Sequence, residues 1–187
     1  MVTKSAVIVM EFDRDKFKAL LHYVVWKAGD KEGFGATKLY KVLWFSDARA
    51  YMLQGDPITG ETYVREKYGP LPTHALSTID ELAREGTITI SAGDYYGKAI
   101  RHFHSMRLPD KLALSARQRE IVEYWIKHIA DEHTATSISE ESHDYAWEIA
   151  TLGEKIPYHA IFAIRIRDPE GEELKWATDK AKELGLG

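Results

Sequence analysis

The 187-residue chain has no cysteine. That excludes a disulfide framework, a thiolate nucleophile and any cysteine-based zinc site. It has no long apolar run either. The stretch Ser5 to Met10 is too short for a signal peptide or a membrane span, so no membrane association and a cytoplasmic location are expected. Catalytic signatures are missing. No G-x-S-x-G elbow, phosphate-binding glycine loop, dinucleotide fingerprint or H-E-x-x-H pair occurs, and Gly33-Phe34-Gly35 is too short to count as one. Neither an enzyme nor a cofactor is therefore expected. A large surplus of one charge is also lacking. The net charge is −4; residues 1–110 carry 15 basic and 14 acidic groups, residues 111–187 carry 10 and 15. A dedicated nucleic-acid binder usually presents a strongly basic surface, and neither half supplies one.

Aromatic residues are plentiful, with 5 Trp, 10 Tyr and 6 Phe. Many fall in the stretch from Thr37 to Pro72, around which the chain is organised. It opens with a helix whose Leu39, Val42, Leu43, Ala50 and Leu53 line one stripe. Tyr40, Trp44, Phe45 and Tyr51 widen that stripe until little polar surface is left, which marks a buried helix. Thr37 is its expected N-cap and Gly55 its C-cap. A turn-rich segment, a short Tyr63-Val64 strand and a Tyr68-Gly69-Pro70-Leu71-Pro72 corner follow.

Around this stretch the periodicities predict a helical chain with one β-hairpin. Val2 to Met10 reads as a strand or an ordered arm. Asp13 caps a helix to about Ala28, with Phe17, Leu20, Leu21, Val24, Val25 and Ala28 on one face. Phe12 and Phe17 fit a hydrophobic staple. A helix from Thr73 to Glu85 carries Leu76, Ile79, Leu82 and Ala83. The strands Thr87 to Ser91 and Ala99 to Arg107 flank a turn over Ala92 to Lys98. Beyond Pro109, a helix from Ser115 to about Glu132 buries Ile121, Val122, Trp125, Ile126 and Ile129. A helix from Ser139 to Leu152 follows, with Tyr145, Ala146 and Ile149 inward. Tyr158 to Ile166 is helix or strand, and Glu172 to Leu184 is a charged surface helix. The expected class is α+β and predominantly helical: a helical core, a winged-helix-like hairpin and a C-terminal helical part.

Two sets of residues could carry chemistry. Lys38, Lys41 and Asp47 interrupt an otherwise apolar helix, and a carboxylate there needs partners. The histidines form the second set. His102 and His104 share a strand face; His128, His133 and His143 lie near Glu132 and Asp144. No spacing among them specifies a metal site, so no metal is expected, and a histidine-based metal hydrolase is the weakest alternative.

The block KLYKVLWFSDARAYMLQGDPITGETY, then KYGPLPTHAL, then SEESHDYAW resembles the Panacea, or SocA-like, antitoxin domain. The shared pattern is K-L-x-K-x-L-x-F-x-D, G-x-P-I-T-G-x-x-Y, Y-G-P-hydrophobic-P and S-H-D-Y-A-W. The matches span roughly the first 150 residues, giving a domain over 1–152 and a C-terminal extension over 153–187 packed on it. The resemblance implies a prokaryotic or phage-associated, non-enzymatic protein. It would bind and neutralise a cognate toxin protein, or deliver it to a ClpXP-type protease. Partner-binding residues are then sought at Lys38, Tyr40, Lys41, Trp44, Asp47, Tyr68, Pro70, His143 and Trp147. A homo-oligomer is left open. The rival reading is a DNA-binding regulator, but its recognition helix, Thr73 to Glu85, carries Asp80, Glu81 and Glu85 against Arg84.

Overall fold

A computed structural model describes residues 10–162 and, further on, 171, 175, 178–180 and 182. The expected N-terminal strand or arm lies outside them except for Met10, as does most of the expected last helix.

Two helices come first, α1 (Arg14–Ala28) and α2 (Ala36–Gln54). Asp13 caps α1, its carboxylate accepting from the Lys16 amide, and Phe12 meets Phe17 edge-on at 5.8 Å. α2 begins two residues before the expected cap, at Gly35, and no side chain caps it. Its end is as expected, with Gly55 left-handed at φ 81°. The helix buries Leu39, Val42, Leu43, Trp44 and Ala50; Leu53, on its last turn, is exposed. Elements pack on α2 from several sides, including α1 and the later helices α4 (Ala116–Glu132) and α5 (Ala135–Glu141).

The chain then makes β1 (Tyr63–Glu66) and β2 (Gly69–Pro72), an antiparallel pair with Tyr63 opposite Pro72 and Glu66 opposite Gly69. The Tyr-Gly-Pro segment is therefore a strand and not only a corner. Two prolines are tolerated because β2 is an edge strand, where missing N–H groups break no central ladder. The order of this sheet is β2-β1-β5, and β5 (Lys155–Ile156) returns late in the chain to cover the other side of β1.

Helix α3 (Ala75–Arg84) buries Ala75, Thr78, Ile79 and Leu82. Leu76, expected inside, is exposed; Ala75 and Thr78 take the inward positions, so the buried stripe is rotated. The hairpin β3 (Ile88–Tyr95) and β4 (Lys98–Ser105) turns at Tyr96-Gly97, more tightly and further along than expected. Both turn residues have positive φ, 51° and 74°, which suits a two-residue turn to the strands' twist. Ile88 and Phe103 anchor the hairpin in the core. Met106, just past the end of β4, is exposed. Ile90 through Ala92 and Tyr96 stand at the surface.

α4 starts at a capping box formed by Ser115 and Gln118. The next segment is two helices where one was expected. Thr134 caps α5 with Ser137, and Asp144 caps α6 (Tyr145–Ile149), breaking the chain between them. Ile149 is exposed and Ala146 buried. Tyr158 to Phe162 form a 3₁₀ turn, settling the helix-or-strand choice for those residues. Its Tyr158 lies 6.3 Å from Trp44 and 6.1 Å from Tyr63, ring to ring, so the core closes with an aromatic cluster. The molecule is α+β and predominantly helical, with small antiparallel sheets. Among the described residues no helix is long and apolar enough to cross a membrane.

Candidate functional site

The polar residues of α2 divide by the direction they face. Asp47 is fully buried. One oxygen accepts from the Thr59 amide at 2.8 Å; the other accepts from the Thr59 hydroxyl at 2.6 Å and the Tyr63 hydroxyl at 2.8 Å. Burial pushes its carboxyl up to about 6, against the pull of these hydrogen bonds. Asp47 thus ties the turn after α2, where Thr59 lies, and the first strand to the central helix. Trp44 is also fully buried, meeting Tyr63 edge-on at 4.9 Å. Neither residue has surface to offer a partner, and both belong to the core.

Lys41 points toward β2. Its ammonium donates to the Pro70 carbonyl at 3.1 Å, and burial lowers it to about 7. Gly69 is required here. Its φ is 94°, and a Cβ on it would stand 2.2 Å from Ser142 Oγ and 2.5 Å from Lys41 Nζ. The strand, the central helix and the end of α5 meet at that glycine. Pro70 is buried, so what it contributes is the carbonyl that holds Lys41.

Beyond Gly69 the surface opens into a groove of about 720 Å³. Lys38 and Thr37 of α2 lie along it, with Tyr68 at the β1–β2 turn, Tyr95, Ile100 and Arg101 of the hairpin, and Ser139, Glu140 and His143 around the end of α5. Gly33 and Gly35 permit the hairpin to come so close: a Cβ on Gly33 would touch the Tyr95 ring at 2.7 Å, and one on Gly35 would touch Ile100 at 2.5 Å. Three of the expected residues, Lys38, Tyr68 and His143, come together here. Lys38 forms part of the floor; it is buried, donates to the Ala130 carbonyl at 3.3 Å, and burial lowers its ammonium pKa. Tyr68 is 63% exposed, the opposite of Trp44.

His143 stacks on Trp147 at 3.7 Å, and the Arg65 guanidinium lies 4.1 Å from the centre of the Trp147 ring. The Trp147 indole donates to the Glu66 carbonyl at 3.0 Å. Burial lowers the His143 pKa, and the charges of Lys41 and Arg65 add to the effect, so a neutral ring is favoured. Its Nε2 is buried with no hydrogen-bond partner among the described residues. Tyr40 is half-buried; burial raises its hydroxyl pKa, and the nearby Arg101 opposes the rise.

The groove's Tyr95, Arg101 and Glu140 were not among the expected site residues. Nothing in their local sequence marks them, because the hairpin register and the α5–α6 break bring them together. The other histidines lie outside the groove, His128 and His133 together at the end of α4. His102 and His104 do share a face, rings 6.3 Å apart, and His104 pairs with Asp30 at 2.6 Å. His22 bonds Ser105, and His74, at the start of the helix a DNA-binding reading would use, bonds the buried Glu61.

Searches of curated proteins and of solved structures found no match. The family model described as antitoxin SocA-like, Panacea domain, matches residues 39–148, from the central helix through α6. That span holds the Lys41–Gly69–Ser142 junction and most of the groove wall, and it supports an antitoxin role in general, with a toxin as partner. On that match the chain belongs to the SocA-like antitoxin family of Panacea-domain proteins.

Proposed function

We propose that the chain neutralises a partner toxin by binding it directly in the groove between the hairpin and α5. The observation that carries this reading is the groove's make-up. It combines the exposed Tyr68 and the half-buried Tyr95 with a local excess of positive charge on a chain that is negative overall. Lys38, Lys67 and Arg101 line it against one carboxylate, Glu140. Tyrosine and arginine are the side chains that interfaces use as anchors. Tyr96 at the tip of the hairpin adds a second anchor. It is 86% exposed and held at φ 51°, a conformation that costs a non-glycine residue energy and is retained at functional positions. The segment received would carry carboxylates to meet the groove's cations and apolar groups to lie on its tyrosines. No bond is made or broken by this chain. Delivery of the bound toxin to a ClpXP-type protease is the same binding event with a further step, and it would leave the groove's role unchanged.

The domain spans residues 1–152 in this reading, with 153–187 as an extension packed on it. β5 and Tyr158 support that packing, since both reach into the first sheet and the aromatic core. A DNA-binding role gains little from the geometry. Glu81 of α3 is paired with Arg14 and Lys18, and Lys18 also binds Glu85. The helix that would enter a groove thus takes up Arg14 and Lys18 of α1 and has Arg84 as its own one Lys or Arg.

A tagged chain captured from its native host, with mass spectrometry of what co-purifies, tests the proposal. One stoichiometric partner, toxic alone and harmless when this chain is co-expressed, is the expected result. Capture of nucleic acid with no protein would overturn it. A shorter toxin half-life only in cells with the protease would identify the adaptor form.

A further inference from the structure

The end of α4 and the whole of α5 hold a cluster that the antitoxin reading does not use. His128 lies near the end of α4, His133 in the turn, and Glu141 at the last position of α5. The Nε2 atoms of the two histidines are 3.2 Å apart. Glu141 places Oε1 3.4 Å from His128 Nε2 and Oε2 3.1 Å from His133 Nε2. Ligands about 2.1 Å from a tetrahedral zinc ion stand about 3.4 Å from one another. The two imidazole nitrogens are close to that spacing, and with one ligand atom from each residue the three lie within 4.8 Å of one another.

The outer nitrogens decide what the inner ones can be. His128 Nδ1 lies 2.8 Å from Glu132 Oε2, an acceptor, so it carries the proton. His133 Nδ1 lies 3.1 Å from Ser137 Oγ. That hydroxyl accepts from the Thr134 amide at 3.0 Å and has the Thr134 carbonyl at 3.3 Å as an outlet for its own proton, an arrangement in which it can also accept from His133. With both neutral rings protonated at Nδ1, the two Nε2 atoms offer lone pairs, facing each other and a carboxylate. Three lone-pair donors aimed at one point repel, and either a proton or a metal cation among them relieves the repulsion. Histidine ligands are typically held this way, with the far N–H given to a carboxylate or hydroxyl. The side chains are 25%, 17% and 38% exposed, so an ion can enter from solution and water can complete its shell.

We infer that His128, His133 and Glu141 form a binding site for a divalent transition metal of the zinc class, with Glu132 and Ser137 orienting the two imidazoles. Two imidazoles and a carboxylate suit zinc, cobalt and nickel better than magnesium or calcium. The ion would clamp α5 to α4. Since α5 forms one wall of the groove through Ser139 and Glu140, the clamp would fix that wall. This site stands whether or not the groove binds a toxin.

The test uses the full chain, free of any histidine tag and stripped with a chelator. Zinc is titrated against a chromophoric chelator, and cobalt is followed by its visible absorption. One equivalent per chain, a tetrahedral cobalt spectrum and a higher melting temperature with zinc are expected. His133→Ala and Glu141→Ala should abolish the spectrum. Glu132→Gln should keep it but weaken metal affinity about 10- to 100-fold. His102→Ala should bind like the parent. Lack of saturable uptake by the parent chain would overturn the inference by itself, whatever the variants' folding. So would parent-like affinity in His133→Ala.

Discussion

At the residue scale, Asp47 and Lys41 lie in α2 with no ion pair to either among the described residues. Their burial has opposite consequences. The Asp47 carboxyl is raised to about 6 by burial, so the native state holds its proton more tightly than the unfolded chain does. Its contribution to stability is full below about pH 4 and is lost as pH rises through 6. The Lys41 ammonium is lowered to about 7 by burial, so the unfolded chain holds that proton more tightly. Its contribution is full above about pH 10 and is lost as pH falls through 7. Lys41→Met should therefore flatten the rise of stability between pH 7 and 10, measured as urea midpoints at several pH values. An unchanged slope would show that Lys41 is solvated. Asp47→Ala should cost about 2–4 kcal/mol by stranding the Thr59 and Tyr63 donors. Asp47→Asn should stay within about 1 kcal/mol, because the two hydroxyls can reverse and accept. The sequence showed that a carboxylate in so apolar a helix needs partners. It did not show which, because Thr59 and Tyr63 reach Asp47 only after the turn folds back. Trp44 read as a contact residue for a similar reason: an aromatic on a helix apolar nearly all round gives no sign of which side stays uncovered.

At the element scale, the helices with explicit caps were legible almost to the residue. Asp13 and Ser115 each announce a start that the structure keeps. The α5–α6 pair was not, because Thr134 and Asp144 are two capping signals within a segment whose apolar spacing suits one helix. β2 was hidden by its prolines, which are rare in strands except at an edge. The β3–β4 turn offers a direct check on element stability. Asn fits a left-handed turn position better than Tyr does. Tyr96→Asn should raise the melting temperature, corresponding to roughly 0.5–1 kcal/mol, while weakening toxin binding. Gly97→Ala should cost about 1–2 kcal/mol through backbone strain alone, since its Cβ would meet nothing within 4 Å. Thermal melts followed by circular dichroism read both effects.

At the scale of the whole molecule, the groove exists because three distant segments converge on a glycine junction. The 33–35 loop admits the hairpin, Gly69 admits Lys41 and Ser142, and the α5–α6 break presents His143. Blocks of sequence carried the family, whereas the site had to wait for the register of a hairpin and the position of a helix break. The central claim is that this groove is the surface that silences a toxin. The most direct measurement is the affinity of the captured partner for Tyr68→Ala/Arg101→Glu against the parent chain, with matched melting temperatures. A loss of about 30-fold or more is expected, as for other interface anchors, together with loss of rescue in cells expressing the toxin. Parent-like affinity and full rescue would contradict it and place the toxin elsewhere on the molecule.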